Sequence, residues 1–268
     1  MTAELARRFH TLHADGLLLL ANVWDAGSAR LAEAAGAHAI ATSSAAVAWA
    51  HGWRDGDALS VDRVLQTTRA VVGAVALPVT VDIEGGYSDD PERVGRLTSA
   101  LIEAGAVGIN IEDGAGDPAL LAAKIAAVRR AAVASGVDLF VNARIDVWLR
   151  ALVEPALRVG ETLARAARYR AAGADGLFAP GVTEAGEIAA LVAGTDMPVN
   201  VLAWSGLPDA DRLRELGVRR FSAGSAIAEA MHGLVSGMMR EFLATGRLDG
   251  AGKPPLGYGE LQALMASR

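Results

Sequence analysis

The 268-residue sequence contains no cysteine, which excludes disulfides, thiolate metal sites and a cysteine nucleophile. It has no basic excess either: its formal net charge is −6, which is not the charge pattern of a nucleic-acid-binding protein. No apolar run approaches the roughly 20 residues that a membrane span needs. The amino-terminal MTAELARRFHTLHADG lacks the apolar segment of a signal peptide. We therefore expect a cytoplasmic protein that binds small molecules and has neither a membrane nor a nucleic-acid partner.

Short apolar runs alternate along the chain with segments of helical periodicity, which is the pattern of parallel strands joined by crossover helices. The continuous apolarity of the runs indicates strands that are buried on both faces. The chain length is close to the roughly 250 residues of a (β/α)8 barrel. We therefore predict an α/β fold, a single TIM barrel over residues 1–245. Its eight strands are expected at Leu17–Asn22, Ala37–Ser43, Pro78–Asp82, Val107–Glu112, Asp138–Arg144, Asp175–Ala179, Pro198–Ala203 and Val218–Ala223.

The carboxy-terminal part of the sequence differs from the repeating units. Residues 246–268 read as a Gly/Pro-rich linker, at 246–259, followed by a short helix at Glu260–Ser267. The eighth helix of the barrel, Ile227–Leu243, carries an apolar stripe wider than docking on one barrel face requires. We interpret the excess as a surface exchanged or packed between the subunits of a homodimer or homotetramer. The alternative is an ordinary helix with a few exposed methionines.

Polar residues follow the predicted strands, at the end of a TIM barrel where the loops that carry the chemistry converge. Three of them, Asp82, Glu84 and Glu112, come from two neighbouring strands. Carboxylates crowded together repel each other unless a cation lies among them, and Mg²⁺ prefers such oxygen ligands. The strand-end residues are Asn22, Trp24, Asp25, Thr42, Ser43, Ser44, Asp82, Glu84, Glu112, Asp113, Asn142, Arg144, Asp146 and Asn200. We predict a magnesium site here, with Mn²⁺ as the alternative metal, and assign Asn200 to substrate binding. A single Asp after a strand, such as Asp25, could instead cap the next helix.

Four motifs in order resemble the isocitrate lyase/phosphoenolpyruvate mutase superfamily. They are TSSAAVAWAHGWRD at 42–55, VDIEGGY at 81–87, INIED at 109–113 and VNARID at 141–146. The resemblance is in register from Asn22 to about Arg144 and weaker beyond. It is specific for the superfamily and does not select one member.

The resemblance implies a Mg²⁺-dependent lyase that acts on a small 2-oxo or 2-hydroxy acid or diacid through a metal-stabilised enolate. It implies that Asp82 binds the metal directly and that Asp55, Glu84 and Glu112 hold metal-bound water. Arg144, with Glu112, would take part in catalysis. The implied substrate-binding residues are Trp24, Asp25, Ser43, Ser44, Asp82 and Arg144.

The sequence departs from the family after the fourth strand. Isocitrate and methylisocitrate lyases have a gating loop there with a Lys-Lys-Cys-Gly-His motif, and the mutases have a longer loop. Here only GAGD precedes Pro118, which we expect to begin a helix, and Lys124 lies too far along that helix to serve as a gate. We therefore expect neither an isocitrate or methylisocitrate lyase nor a mutase. Decarboxylation is compatible with the absence of a gating loop, because it needs no base. Retro-aldol cleavage requires a base, and His51 and Tyr87 are the candidates.

Other functions stay open from the sequence. The chain could be a non-catalytic homologue that binds a 2-oxo acid, or an enzyme of P–C bonds of the phosphonopyruvate type. A phosphate-binding barrel enzyme is the weakest alternative, because the segments AWSGLPD and SAGSAIAE are poor versions of a Gly-rich phosphate loop.

Overall fold

In the computed structural model, which describes residues 2–248 and 256–266, parallel strands form one ring with helices around it. The strands are β1 (Leu18–Leu20), β2 (Asn22–Val23), β3 (Ile40–Thr42), β4 (Val79–Asp82), β5 (Gly108–Glu112), β6 (Phe140–Arg144), β7 (Gly176–Phe178), β8 (Val199–Leu202) and β9 (Arg220–Ser222). The helices are α1 (Thr2–Thr11), α2 (Ala26–Ala34), α3 (Ser44–Ala50), α4 (Val61–Ala74), α5 (Pro91–Glu103), α6 (Pro118–Ser135), α7 (Arg158–Ala172), α8 (Ala185–Ala193), α9 (Ala210–Glu215), α10 (Ala226–Thr245) and α11 (Tyr258–Ala266).

The ring closes where the first predicted strand is broken at Ala21 into β1 and β2. Strand β1 pairs with β9 and β2 pairs with β3, so two short strands share one position of the barrel. The Asn22 side chain spans the break, because its Nδ2 donates to the Thr42 carbonyl (2.9 Å) and its Oδ1 accepts from the Gly224 N–H (2.8 Å). The predicted (β/α)8 TIM barrel is confirmed, with its first strand in two parts.

The later strands lie inside the predicted runs and are shorter than them. All seven begin one to three residues late, because the turns that follow the helices occupy the first predicted residues, and β3, β7, β8 and β9 also end one residue early. Gly105 and Gly173 adopt positive φ angles of 98° and 110° in two of these turns, a conformation that glycine reaches without steric cost. Regular pairing begins only after such a turn.

Helix α6 begins at Pro118, as the sequence predicts, and α5 begins at Pro91 in the same way. Proline suits the first helical position because its missing N–H would have no partner there. The preceding residues, Asp90 and Asp117, accept bonds from the first-turn N–H groups at 2.9 and 2.8 Å. Ser60 precedes α4 but makes no side-chain cap bond.

Helix α1 covers the amino ends of the strands and forms the floor of the barrel. Its Phe9 is fully buried against Phe140, with ring centroids 5.5 Å apart in an edge-to-face arrangement. His13, which follows α1, stacks on the Phe140 ring with 4.0 Å between the ring centroids. Burying a phenylalanine side chain such as that of Phe9 contributes about 1.5–3 kcal/mol to the stability of the fold. A separate and larger apolar core lies between the strands and the outer helices.

Helix α10 includes all residues of the predicted eighth helix, but most of its apolar side chains are exposed. Ala228 is its single buried residue, while Leu234, Met239 and Leu243 are 61%, 60% and 84% exposed. Contact of this stripe with a second subunit stays a prediction. Helix α11 begins at Tyr258 rather than Glu260 and lies against α2. The predicted linker falls largely on residues 249–255, which lie outside the described residues. Within the described ranges, no helix combines the length and apolarity required to cross a membrane.

Candidate active site

A pocket of about 170 Å³ opens at the carboxyl ends of the strands, where the site was expected. Five of the residues predicted to bind metal or substrate line it together, and they come from the ends of β4 and β6, the start of α3 and the loop after α3. These are Ser43, Ser44, Asp55, Asp82 and Arg144. The pocket also has an apolar side made of Leu149, Phe178, Leu202 and Trp204. The sequence did not indicate this side, because Leu149 and Trp204 are single apolar residues in loops, and Phe178 and Leu202 end apolar strands whose other residues fill the core.

The two other predicted metal-site residues, Glu84 and Glu112, line an adjacent pocket of about 300 Å³. The loop between β5 and α6 forms part of its wall through Gly114, Gly116 and Asp117. That loop has only the five residues from Asp113 to Asp117, so the expected short loop is confirmed.

Arg144 stands between the two pockets and is held in place by two acidic side chains. Its Nη1 lies 2.6 Å from Glu112 Oε2, and its Nε and Nη2 donate to the two oxygens of Asp146 at 2.7 and 3.1 Å. These contacts use three of the five N–H groups of a guanidinium, so two remain for a ligand. Asp146 is fully buried, and this supporting role was not predicted from its position after the strand.

A second buried carboxylate supports Asp146. Asp113 Oδ1 accepts the Asp146 N–H at 3.0 Å, and its Oδ2 accepts from Arg165 Nη1 at 2.9 Å and the Tyr169 hydroxyl at 2.8 Å. Arg165 and Tyr169 lie on α7, so this helix holds the end of β6 through Asp113. Such contacts join distant segments and leave no local pattern in the sequence.

Asp82 ends β4 at the bottom of the pocket. Its N–H donates to Thr42 Oγ1 at 2.9 Å, and its Oδ1 accepts the Glu84 N–H at 3.0 Å. Burial raises the pKa of the Asp82 carboxyl, and the positive charge of Arg144 acts against that rise. The rise means that the ionised form is costly unless positive charge is added near it.

Glu84 is engaged by protein groups at both carboxylate oxygens. Its Oε2 accepts the N–H groups of Gly56, at 2.8 Å, and of Asp57, while its Oε1 accepts the Tyr87 hydroxyl at 3.0 Å. Burial is the main cause of a raised pKa at this carboxyl. A carboxylate oxygen has two lone pairs, so Oε1 can still accept one further bond, such as one from a water molecule.

Glu112 is a further acid with a raised pKa at this end of the barrel. Burial raises its pKa to about 8, and only the Arg144 guanidinium opposes the rise, whereas the negative charges of Asp82, Asp146 and Asp55 add to it. The same ion pair raises the pKa of Arg144, which therefore stays protonated. If Asp82, Glu112 and Asp146 were all ionised, they would carry more negative charge than one arginine balances.

The donor chemistry of this region fits Mg²⁺. Within residues 2–248 and 256–266, no three carboxylate or histidine side chains converge into a ready-made metal cluster. Mg²⁺ does not require one, because it keeps several waters and takes only one or two carboxylates directly. Asp82 has one oxygen bonded to a backbone N–H, and a cation near it would offset the burial that raises the pKa values of Asp82 and Glu112. The carboxylates therefore fit a hydrated Mg²⁺ better than a dehydrated metal centre.

His51 lies at the carboxyl end of α3, outside the residues that line the pocket. Arg63 Nη1 lies 3.1 Å from its Nδ1, and since arginine only donates, Nδ1 is the acceptor. The other nitrogen, Nε2, then carries the proton and donates to Thr67 Oγ1 at 3.0 Å. Both ring nitrogens are occupied, so the structure does not place His51 as a free base beside a substrate. Tyr87 is nearer to the acids through its bond to Glu84.

Three further predicted residues do not line the pocket. Asp25 caps α2 in a reciprocal arrangement with Ser28, whose N–H it accepts at 2.7 Å. Trp24 packs against the outer apolar core. Asn200 is fully buried inside the barrel and accepts a bond from Ser222 at 3.2 Å. Of the two roles that the sequence allows for Asp25, the structure shows the helix cap.

The chain is similar to several known proteins. The phosphoenolpyruvate phosphomutase family model matches residues 9–243. An uncharacterised protein of Mycobacterium tuberculosis (strain ATCC 25618 / H37Rv) is 40% identical over 227 residues, which are 81% of this chain and 81% of that protein. An oxaloacetate decarboxylase of Rhodopseudomonas palustris (strain TIE-1) is 31% identical over 212 residues, 77% of this chain and 73% of that protein.

A solved structure of phosphonopyruvate hydrolase in complex with oxalate and Mg²⁺ has the same fold. The match has a TM-score of 0.84 and 23% identity, and it covers 97% of this chain and 94% of that chain. At this level of identity the similarity supports the barrel itself and does not extend to the ligands.

Proposed function

Because the chain belongs to the phosphoenolpyruvate phosphomutase family, we propose that it is a magnesium-dependent lyase of small 2-oxo or 2-hydroxy acids and diacids. It is an enzyme of the isocitrate lyase/phosphoenolpyruvate mutase superfamily, whose members act as lyases and mutases. One observation carries the proposal: Ser43, Ser44, Asp55, Asp82 and Arg144 line a single pocket at the carboxyl ends of the strands.

Asp82 is the proposed direct ligand of the metal, and Asp55, Glu84 and Glu112 are proposed to hold its water molecules. When bound, the cation supplies positive charge for the oxygen on which C–C cleavage places negative charge. The first N–H groups of α3, at Ser44 and Ala45, have no partner within the helix and suit a substrate carboxylate. Arg144 offers its two remaining N–H groups to the same substrate.

Decarboxylation of a 2-oxo diacid such as oxaloacetate is the reaction that the site favours most. The five-residue loop Asp113–Asp117 is too short to form a lid that excludes water, and reactions that must place a proton on a defined carbon depend on such exclusion. A decarboxylation tolerates protonation by solvent after CO₂ has left. The similarity to a decarboxylase of oxaloacetate supports this choice.

The test is a screen of oxaloacetate, alkylmalates and phosphonopyruvate for turnover in the presence and absence of Mg²⁺. We expect oxaloacetate to be decarboxylated faster than by Mg²⁺ alone, and we expect no cleavage of isocitrate. Turnover of phosphonopyruvate instead would favour the P–C enzyme, which the similarity to phosphonopyruvate hydrolase makes the second candidate. Binding of oxalate without turnover of any compound would favour a non-catalytic binding protein.

We also propose that the exposed apolar stripe of α10 packs against a second copy of the chain. Five large apolar residues of this helix are more than one third exposed in a single chain. Burying them between two subunits would remove the unfavourable free energy of exposing apolar surface to water. They are Ile227, Leu234, Met239, Phe242 and Leu243. Light scattering at micromolar concentration should give a dimer or tetramer, and a monomer would contradict the proposal.

A further inference from the structure

Three residues with unusual backbone geometry meet at the edge of the candidate active site. Asp57, Glu84 and Tyr87 have φ angles of 53°, 51° and 56°, in the left-handed region that side chains other than glycine rarely adopt. Among the described residues only one other non-glycine residue, Ala151, shares this feature. Backbone strain of this kind persists only where the surrounding contacts impose it.

The contacts that impose it run in both directions between two loops. Glu84, after β4, accepts the N–H groups of Gly56 and Asp57 through one oxygen. Asp57, in the loop after α3, accepts the N–H of Tyr87 at 3.1 Å. Each loop therefore supplies an acid that binds backbone N–H groups of the other loop. We call this set of bonds between segments 56–57 and 84–87 the loop clasp.

Two further features fit the loop clasp closely. A Cβ atom at Gly85 would lie 2.8 Å from Asp57 Oδ2, so a side chain at this position would push the Asp57 carboxylate away. On the opposite side of the turn, Lys124 donates from Nζ to the Gly85 carbonyl at 2.8 Å, with a side chain only 8% exposed. Lys124, which lies too far along α6 to act as a gate, therefore supports the turn at Gly85.

We propose that Glu84 and Asp57 are positioning residues, which through the loop clasp hold Asp55 at the edge of the substrate pocket. Asp55 is exposed and directly precedes the two residues whose N–H groups bind Glu84, so its placement depends on them. The inference rests on the proposed function for the role of Asp55 toward metal-bound water. It adds that Glu84, besides its proposed contact with metal-bound water, serves this site as a hydrogen-bond acceptor for a loop.

The test measures amide hydrogen exchange by NMR at Gly56 and Tyr87, whose acceptors lie on opposite loops. Glu84→Ala removes the acceptor of Gly56 and leaves the acceptor of Tyr87 in place, and Asp57→Ala does the reverse. Because the loop clasp acts as one unit, each substitution should accelerate exchange at both amides by about tenfold or more. Glu84→Gln keeps an oxygen acceptor and should restore slow exchange, which a role resting on charge would not predict.

Asp62→Ala is the matched control, because Asp62 is an exposed acid on the neighbouring helix α4 and should leave both amides unchanged. Tyr87→Phe is the milder variant if an alanine variant does not fold, since it removes only the hydroxyl bond to Glu84 and should accelerate exchange at Gly56. The proposal is wrong if each substitution alters only the amide that it serves directly, or if Asp62→Ala has the same effect.

Calorimetric titration of oxalate with Mg²⁺ present then tests positioning of the site. Glu84→Ala and Asp57→Ala should weaken oxalate binding by about tenfold, and Glu84→Gln should weaken it less. Unchanged affinity in both alanine variants, with exchange accelerated, would show that the loop clasp does not position the site. If the wild-type protein neither binds oxalate nor turns over any compound, the proposed function fails, and the exchange experiment still decides whether the loop clasp exists.

Discussion

At the carboxyl ends of its strands the barrel buries charged side chains, whereas at the amino ends it buries a histidine among aromatic rings. Asp82, Glu84 and Glu112 at the upper end all have raised pKa values, and burial is the first cause in each case. At the floor, burial lowers the pKa of His13 to about 3, with the charge of Arg220 adding to the effect. Burial therefore favours the neutral form at both ends.

The two ends differ in what surrounds the buried groups. His13 makes one bond, from Nδ1 to the Phe9 carbonyl at 2.8 Å, and otherwise contacts the rings of Phe9 and Phe140. The acids at the upper end are held by an arginine, by backbone N–H groups and by a tyrosine hydroxyl. Ionisable groups that are fixed in place beside a pocket are typical of a ligand-binding site. The neutral His13 ring, packed on other rings, instead stabilises the fold.

Removal of the predicted metal ligand should have the largest effect on the upper end. Asp82→Ala should abolish measurable Mg²⁺ binding, because no other side chain is assigned to direct coordination. Calorimetric titration with Mg²⁺ checks this, and Asp211→Ala, at an acid whose side chain is 89% exposed, is the control. An unchanged Mg²⁺ affinity in Asp82→Ala would disprove the metal assignment.

Removal of a large ring from the floor should cost stability and leave ligand binding unchanged. Phe9 is fully buried, so Phe9→Ala should lower the free energy of unfolding by about 3–5 kcal/mol through lost burial and a cavity. Urea denaturation measures the loss, and oxalate titration below the transition measures the site. A comparable loss of oxalate affinity would show that the two ends are not independent.

The histidine of the floor should make stability depend on pH. The folded protein keeps His13 neutral down to about pH 3, whereas the unfolded chain takes up a proton near 6.5, so this stability is present above pH 6.5 and is lost as the pH falls toward 3. Between pH 7 and pH 5 the wild type should lose about 2 kcal/mol that His13→Leu does not lose. Urea denaturation at both values tests this, and parallel pH profiles of the two proteins would contradict it.

The smallest predicted effect separates the two tasks of Arg144. Arg144→Lys keeps a positive charge beside Glu112 but cannot reproduce the paired bonds to Asp146 and a ligand, so oxalate should bind about tenfold more weakly, or about 1.4 kcal/mol. Arg212→Lys, at an exposed ion pair, is the control. Equal oxalate affinity in Arg144→Lys and wild type would mean that Arg144 serves only to hold Glu112.

Much of the fold could be predicted because its signals are local. Apolar runs marked the strand positions, and Pro118 marked the start of α6. Ser43, Asp82 and Arg144 could be assigned to one pocket because the carboxyl ends of parallel strands in a closed barrel face the same side. The break at Ala21 could not be predicted, since it depends on how the last strand meets the first.

The barrel, the acidic residues at the carboxyl ends of its strands and the short loop after β5 could be predicted from the amino-acid sequence, because periodicity, residue type and loop length are properties of neighbouring residues. The group that each acid binds depends instead on the folded arrangement of distant segments. Asp146 holds Arg144, Glu84 binds the loop of residues 56–57, and Asp25 caps a helix instead of entering the pocket. A carboxylate bonds whichever donor the fold brings within about 3 Å, and the donors at Gly56 and Arg165 come from segments far from their acids in the chain.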